Sequence, residues 1–205
     1  FNSGQFLSSA RLVLKRLKAQ RFLTLVVLGL AYYQLVLGAS MRHVSESADP
    51  TYFRVLVWFH LIGAAGTALA TVALWLAPRC PTPGLSKPRL ILLALVGVQI
   101  GLGLGTWVMK YNFPEWFGSY VFAQSHRIVN DDFYQVQIVT AHVAVGSLIL
   151  GLATFLLIRL WRAEYCLWAV VDMLCQESQR VALGERPQAP TPPRNDIESE
   201  SLTPC

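Results

Sequence analysis

Charge is what this sequence has least of. Only 14% of its 205 residues are Asp, Glu, Lys or Arg, against roughly 25% in soluble domains. Together with 54% hydrophobic residues and a mean hydropathy of +0.43, that scarcity excludes an ordinary water-soluble globular domain and indicates a membrane protein. Acid is scarcer than base, with 12 Asp and Glu against 17 Lys and Arg, and residues 1–21 carry no acidic side chain. Cysteine is sparse too. Cys80, Cys166, Cys175 and Cys205 show no metal-site spacing and all fall on the side of the basic loops, so no structural disulfide is expected. No A-x-A-like cleavage site follows the first apolar run, which is read as a mature helix rather than a signal peptide.

What the chain does have is four long apolar runs, Phe22–Ala39, Val55–Leu76, Leu90–Met109 and Val136–Ile158, each near the ~20 residues that span hydrocarbon. Joined by short loops, they leave no room for a soluble catalytic domain. Basic residues collect at alternate ends: Arg11, Lys15, Arg16, Lys18 and Arg21 before the first run, Arg79, Lys87 and Arg89 between the second and third, Arg159 and Arg162 after the fourth. The positive-inside rule puts all of these on one face. The expected fold is an all-α four-helix transmembrane bundle, made of two repeated helix pairs with both termini inside. The net charge of +5 is thereby explained by orientation. Membrane lipid is an expected partner and nucleic acid is not.

The chain divides accordingly. Residues 1–21 are a basic inner segment and residues 22–162 the four-span bundle. Residues 163–183 place Tyr165, Trp168, Val171 and Leu174 at helical spacing and are expected to lie along the inner surface. Residues 184–205, rich in Pro, Glu and Ser, are expected to be disordered. The outer loop Tyr111–Tyr134 is rich in aromatic residues, among them Phe113, Trp116, Tyr120 and Phe122. It reads either as an interfacial belt or as a cover over a ligand at the outer mouth.

The two helix pairs resemble each other. Gln34-Leu-Val-Leu-Gly38 aligns with Gln99-Ile-Gly-Leu-Gly103, each near the outer end of an outward span. His60, followed by LIGAAG, aligns with His142, followed by VAVGS, each about two turns into an inward span. A duplication in this sense relates the halves by a pseudo-twofold axis along the membrane normal and sets His60 and His142 at equal depth, facing across the bundle. Two neutral imidazoles so placed are what a haem iron needs as axial ligands. Gly63, Ala64, Ala65 and Gly66 in one half, and Ala144, Gly146 and Ser147 in the other, would let a flat macrocycle approach the backbone, as would Gly38 and Gly103. Small residues in spans also serve simply for helix–helix packing, and a lone intramembrane histidine can be a hydrogen-bonded structural group. A zinc or copper site is disfavoured, because no Cys, Asp or Glu lies near that depth. Arg42, Arg54, Lys110 and Arg127 sit at the outer mouth, available to haem propionates or solvated. Arg42, at the very end of a span, is the best placed. His43 and His126 in the outer loops are surface histidines, or else cover the haem edge.

QLVLGASMRH (34–43), the histidine early in the second span, QIGLGLGTWVM (99–109) and AHVAVGSLIL (141–150) together resemble one half of the haem A synthase family, the cytochrome oxidase assembly proteins. The resemblance covers Phe22–Leu160, and the pairing of G-A-x-x-R-H with the placed histidines carries most of it. It implies a fold of two four-helix halves. One holds a b-type haem and the other the haem O substrate, whose methyl group is oxidised to the formyl group of haem A. By the same resemblance His60 and His142 are axial ligands, Arg42 belongs to the haem mouth, and the location is a bacterial cytoplasmic membrane rather than a mitochondrial inner one. Three departures stand out. Val57 occupies the position of the glutamate found one turn before the second-span histidine in catalytic members. The loop His43–Arg54 lacks the cysteine pair of many bacterial members. Only one half is present, so a homo-oligomer or a second four-helix half is the expected partner, alongside the cytochrome oxidase assembly machinery. The expectations are therefore a haem A synthase-like protein, an oxidoreductase if it turns over, or alternatively a b-type cytochrome or haem-carrying subunit that does not oxidise haem O. A third reading is a four-helix assembly factor with no cofactor.

Overall fold

A computed structural model of the chain describes residues 3–45, 49–78, 84–111 and 133–183. The expectations placed on Phe113–Phe122, His126, Arg127, Cys80, Cys205 and the tail 184–205 lie outside the described residues. Within them the regular structure is helical, in four elements: α1 Ser3–Arg42, α2 Pro50–Leu76, α3 Ser86–Tyr111 and α4 Phe133–Ala182. Each contains a segment long and apolar enough to cross a membrane, so the protein is an integral membrane protein of the all-α class.

α2 and α3, of 27 and 26 residues, match one bilayer crossing. α1 and α4, of 40 and 50 residues, are far longer, since 40 residues at ~1.5 Å each make ~60 Å. Each overshoots at its basic end. Residues 3–21 form the first turns of α1, and α4 continues without a break from its apolar run through Ala182.

Local chemistry sets the helix ends. Asp49 caps α2 by accepting the Thr51 N–H at 2.8 Å, with Pro50 in the first helical position, where its missing N–H costs nothing. These bonds to Thr51, with a smaller attraction to Arg54, hold the Asp49 carboxyl below its ordinary value of 3.8. Gly84, with φ +85°, makes the left-handed turn before α3 under the Arg159 guanidinium, a conformation that glycine adopts without strain.

Contacts divide the chain into two units, residues 1–167 and residues 168–205. In the first, the packed core lies toward the basic end. Val27 and Ala31 of α1, Leu74 of α2, Leu92 and Val96 of α3, and Ala153, Leu156 and Leu160 of α4 form one buried cluster. The C-terminal end of α2 is satisfied by its neighbours: Gln20 donates to the Pro78 carbonyl at 2.6 Å and Arg89 to the Leu74 carbonyl at 3.4 Å. Orphan carbonyls at a helix terminus favour such donors and cations. Arg21 of α1 pairs with Glu164 of α4 at 2.8 Å. The buried hydroxyls of Thr24, Thr67 and Thr71 bond back to carbonyls one turn earlier, so they cost the core no unpaired donor. Phe22, Tyr32, Ile62, Leu69 and Leu104 face outward, as lipid contact requires. In the second unit the end of α4 exposes Trp168, Val170, Met173 and Leu174.

Candidate functional site

The interior changes character one level above that core. At the level of His60 and His142, Leu37 is a buried hydrophobic side chain, and polar side chains take much of the remaining interior. Buried atoms without a hydrogen-bond partner concentrate here: Nδ1 of His60, Nδ1 of His142, Oε1 of Gln34, Oε1 of Gln99 and Oγ1 of Thr106. Unpaired buried polar atoms are expensive, and native structures hold few of them. Five on four helices, with Thr106 about two turns beyond Gln99 on α3, mark a place built for something polar.

Helix geometry brings them together. His60 stands 10 residues into α2 and His142 stands 9 into α4, so the two lie at ~15 and ~13.5 Å from their helix starts. Their rings face each other with centroids 6.5 Å apart and planes inclined at 60°. α1 and α3 supply the walls. Gly38 of α1 lies against Cε1 of His60, where a Cβ would come within 3.9 Å, and Gly103 of α3 lies against Cε1 of His142, where it would come within 3.1 Å. One turn before each glycine stands a glutamine. Gln34 Nε2 donates to the His60 carbonyl at 2.9 Å, and Gln99 Nε2 lies 3.4 Å from His142 Nε2. Each also packs on a glycine of the histidine helix, Gln34 on Gly63 and Gln99 on Gly146. The duplication read from the sequence is thus present as duplicated contacts.

The two imidazoles have the spacing of ligands on one metal ion. Nitrogens ~2.0–2.1 Å from a shared metal and on opposite sides of it stand ~4 Å apart, which puts their ring centroids a little over ~6 Å apart. No group of three or more His, Cys, Asp and Glu exists among the described residues. The described acids, Asp49, Glu164, Asp172 and Glu177, do not lie beside the histidines in any span. A bare ion would therefore have two protein ligands and no charge compensation. A metal that carries its own four equatorial donors needs no more than two, and haem is such a group. The residues present fit it.

Other predicted residues fall into place or outside. Arg42 ends α1 two turns beyond Gln34, in register with Gln34 and Gly38, and is exposed with interactions of its own. Arg54 is exposed near the start of α2, at successive three-residue steps from Val57 and His60. His43, just past α1, is exposed. Gly63 and Gly66 serve the α1–α2 contact, against Gln34 and Leu30, so they are packing positions rather than a bed for a macrocycle. Sequence reasoning quoted Gln34 and Gln99 as part of the repeat but gave them no role. The Q-x-x-x-G spacing, which sets glutamine and glycine on one helix face, was the available signal. Compared with known proteins, the chain matches no family model, no curated protein and no solved structure.

Proposed function

We propose that this protein binds one haem between His60 and His142 and acts as a haem A synthase-like membrane protein in haem A formation and cytochrome oxidase assembly. The single observation that carries the reading is the pair of facing imidazoles, 6.5 Å apart, each with a buried Nδ1 that has no partner. When bound, the haem iron supplies the redox chemistry. The chain's own residues would ligate and orient it. His60 and His142 would hold it, Gly38 and Gly103 would leave room beside the rings, and Arg42 and Arg54 would offer guanidinium groups to its carboxylates. A second copy or a second four-helix half completes the arrangement of two sites that the resemblance implies.

One observation favours a second reading, a b-type cytochrome or haem carrier. Val57, one turn before His60 on the same face, gives the site no carboxylate, and no other described acid reaches that depth. Chromatography of the pigment extracted from purified protein separates the two. Haem O or haem A alongside haem B supports the synthase reading, and haem B alone supports the cytochrome. A colourless preparation from haem-replete cells overturns both.

A further inference from the structure

At its basic end the chain carries two kinds of cation. Arg11, Lys15 and Lys18 stand exposed along the first turns of α1, and orientation in a membrane accounts for them. Lys87 and Arg89 instead line a groove of about 240 Å³ where α2 ends and α3 begins, together with Trp75, Ser86 and Leu90. The groove joins two chemistries. Trp75 and Leu90 are 39% and 56% exposed, and a tryptophan at the end of a span marks the level of the lipid headgroups. Arg89 is only 5% exposed. Its Nη1 donates to the Leu74 carbonyl at 3.4 Å, which fixes the guanidinium across the end of α2. Arg159 of α4 brings a third cation to the turn that leads into the groove. Its guanidinium covers Gly84, where a Cβ would stand 3.2 Å from Nη2, and is carried on the Phe155 ring, 5.6 Å from the centroid. The chain has no Asp or Glu between Asp49 and Glu115, so the segment that forms the groove is positive throughout.

Charge, wall and size together define the occupant. The cations call for an anion, and the exposed apolar wall calls for an attached chain, which a free phosphate lacks. At about 240 Å³ the groove is smaller than the ~300–1,000 Å³ of pockets that enclose a whole small molecule, so it takes a headgroup and leaves the rest in the bilayer. Basic pockets between spans bind anionic headgroups in this way, and a guanidinium that is already fixed loses little freedom in doing so. We propose that the groove between the end of α2 and the start of α3 holds the headgroup of one anionic phospholipid, with Lys87 and Arg89 at its phosphate and its acyl chains against Trp75 and Leu90.

The test counts lipids on the purified full-length chain by native mass spectrometry, in neutral detergent with an equimolar mixture of phosphatidylglycerol and phosphatidylcholine of matched acyl chains. The wild type is expected to retain one phosphatidylglycerol per chain, at least about 10-fold in preference to phosphatidylcholine. Lys87→Glu reverses one charge at the groove and should weaken retention about 10- to 30-fold, whereas Lys87→Arg stays within about twofold of wild type. Lys18→Glu makes the same charge change on α1, away from the groove, and should also stay within about twofold. Circular dichroism checks the helicity of each variant. Equal losses in Lys18→Glu and Lys87→Glu would mean a diffuse surface field and overturn the site. So would equal retention of the two lipids, or release of the phosphatidylglycerol by millimolar inorganic phosphate, which would make the groove a site for a free anion.

Discussion

Replacing the two site glycines by alanine turns the geometry of the pair into a measurable difference. In Gly103→Ala the new methyl would stand 3.1 Å from Cε1 of His142, and in Gly38→Ala it would stand 3.9 Å from Cε1 of His60. Carbon atoms rest at ~3.5–4.0 Å. Gly38→Ala therefore makes an ordinary contact, whereas Gly103→Ala requires the imidazole or its helix to move by about 0.4–0.9 Å. Overpacking of this kind costs about 1–3 kcal/mol. Both substitutions gain the same ~0.5–1 kcal/mol of helix preference of alanine over glycine, so their difference isolates the contact with the histidine. To the extent that ligation requires the displaced His142 ring to return, haemin affinity should fall by up to about 150-fold in Gly103→Ala, at tenfold per ~1.4 kcal/mol, and stay within about threefold of wild type in Gly38→Ala. Spectrophotometric haemin titration in detergent reads both. Equal affinities in the two variants, or a greater loss in Gly38→Ala, would refute the reasoning.

Three further outcomes follow from the packing. Arg21→Ala strands the Glu164 carboxylate, whose side chain is 8% exposed, and because Arg21 itself keeps 34% exposure the cost is set near the low end for a buried pair, about 3 kcal/mol. Glu164→Gln should cost clearly less, and thermal unfolding in detergent compares them. Leu156→Ala empties a fully buried position and should cost about 2–5 kcal/mol by the same assay, without moving the haem spectrum. Asp49 caps α2 with a carboxyl held below 3.8, so its contribution is complete above the ordinary carboxylate range and is lost as pH falls through the lower folded value. The protection of the Thr51 amide against hydrogen exchange, relative to its intrinsic rate, should persist at pH 3.8 and fall as pH drops further. Asp49→Ala should lack that protection at every pH.

Much of this architecture is legible in the sequence because a membrane span announces itself by length and by the absence of charge. The histidine pair is legible for a different reason. The repeat carries Gln and Gly at one spacing in α1 and α3, and a histidine 10 and 9 residues into α2 and α4, which sets the two histidines at similar depth. Side-chain allocation is harder to read. Gly63 and Gly103 are equally small, but only contacts tell that the first admits Gln34 and the second the His142 ring. The helical course of residues 3–21 was carried by Ala10, Leu14 and Leu17, buried at helical spacing among the basic residues, a pattern that the density of charge obscures. The pairing of Arg21 with Glu164 joins residues far apart in the chain, and no local pattern announces it.

The central claim is that His60 and His142 together ligate one haem. Low-temperature electron paramagnetic resonance of the purified ferric protein tests it most directly. The account predicts a low-spin signal of the bis-imidazole kind at about one haem per chain, lost on replacing either histidine by alanine. A protein that retains no haem, or a signal unchanged in both histidine variants, would contradict it.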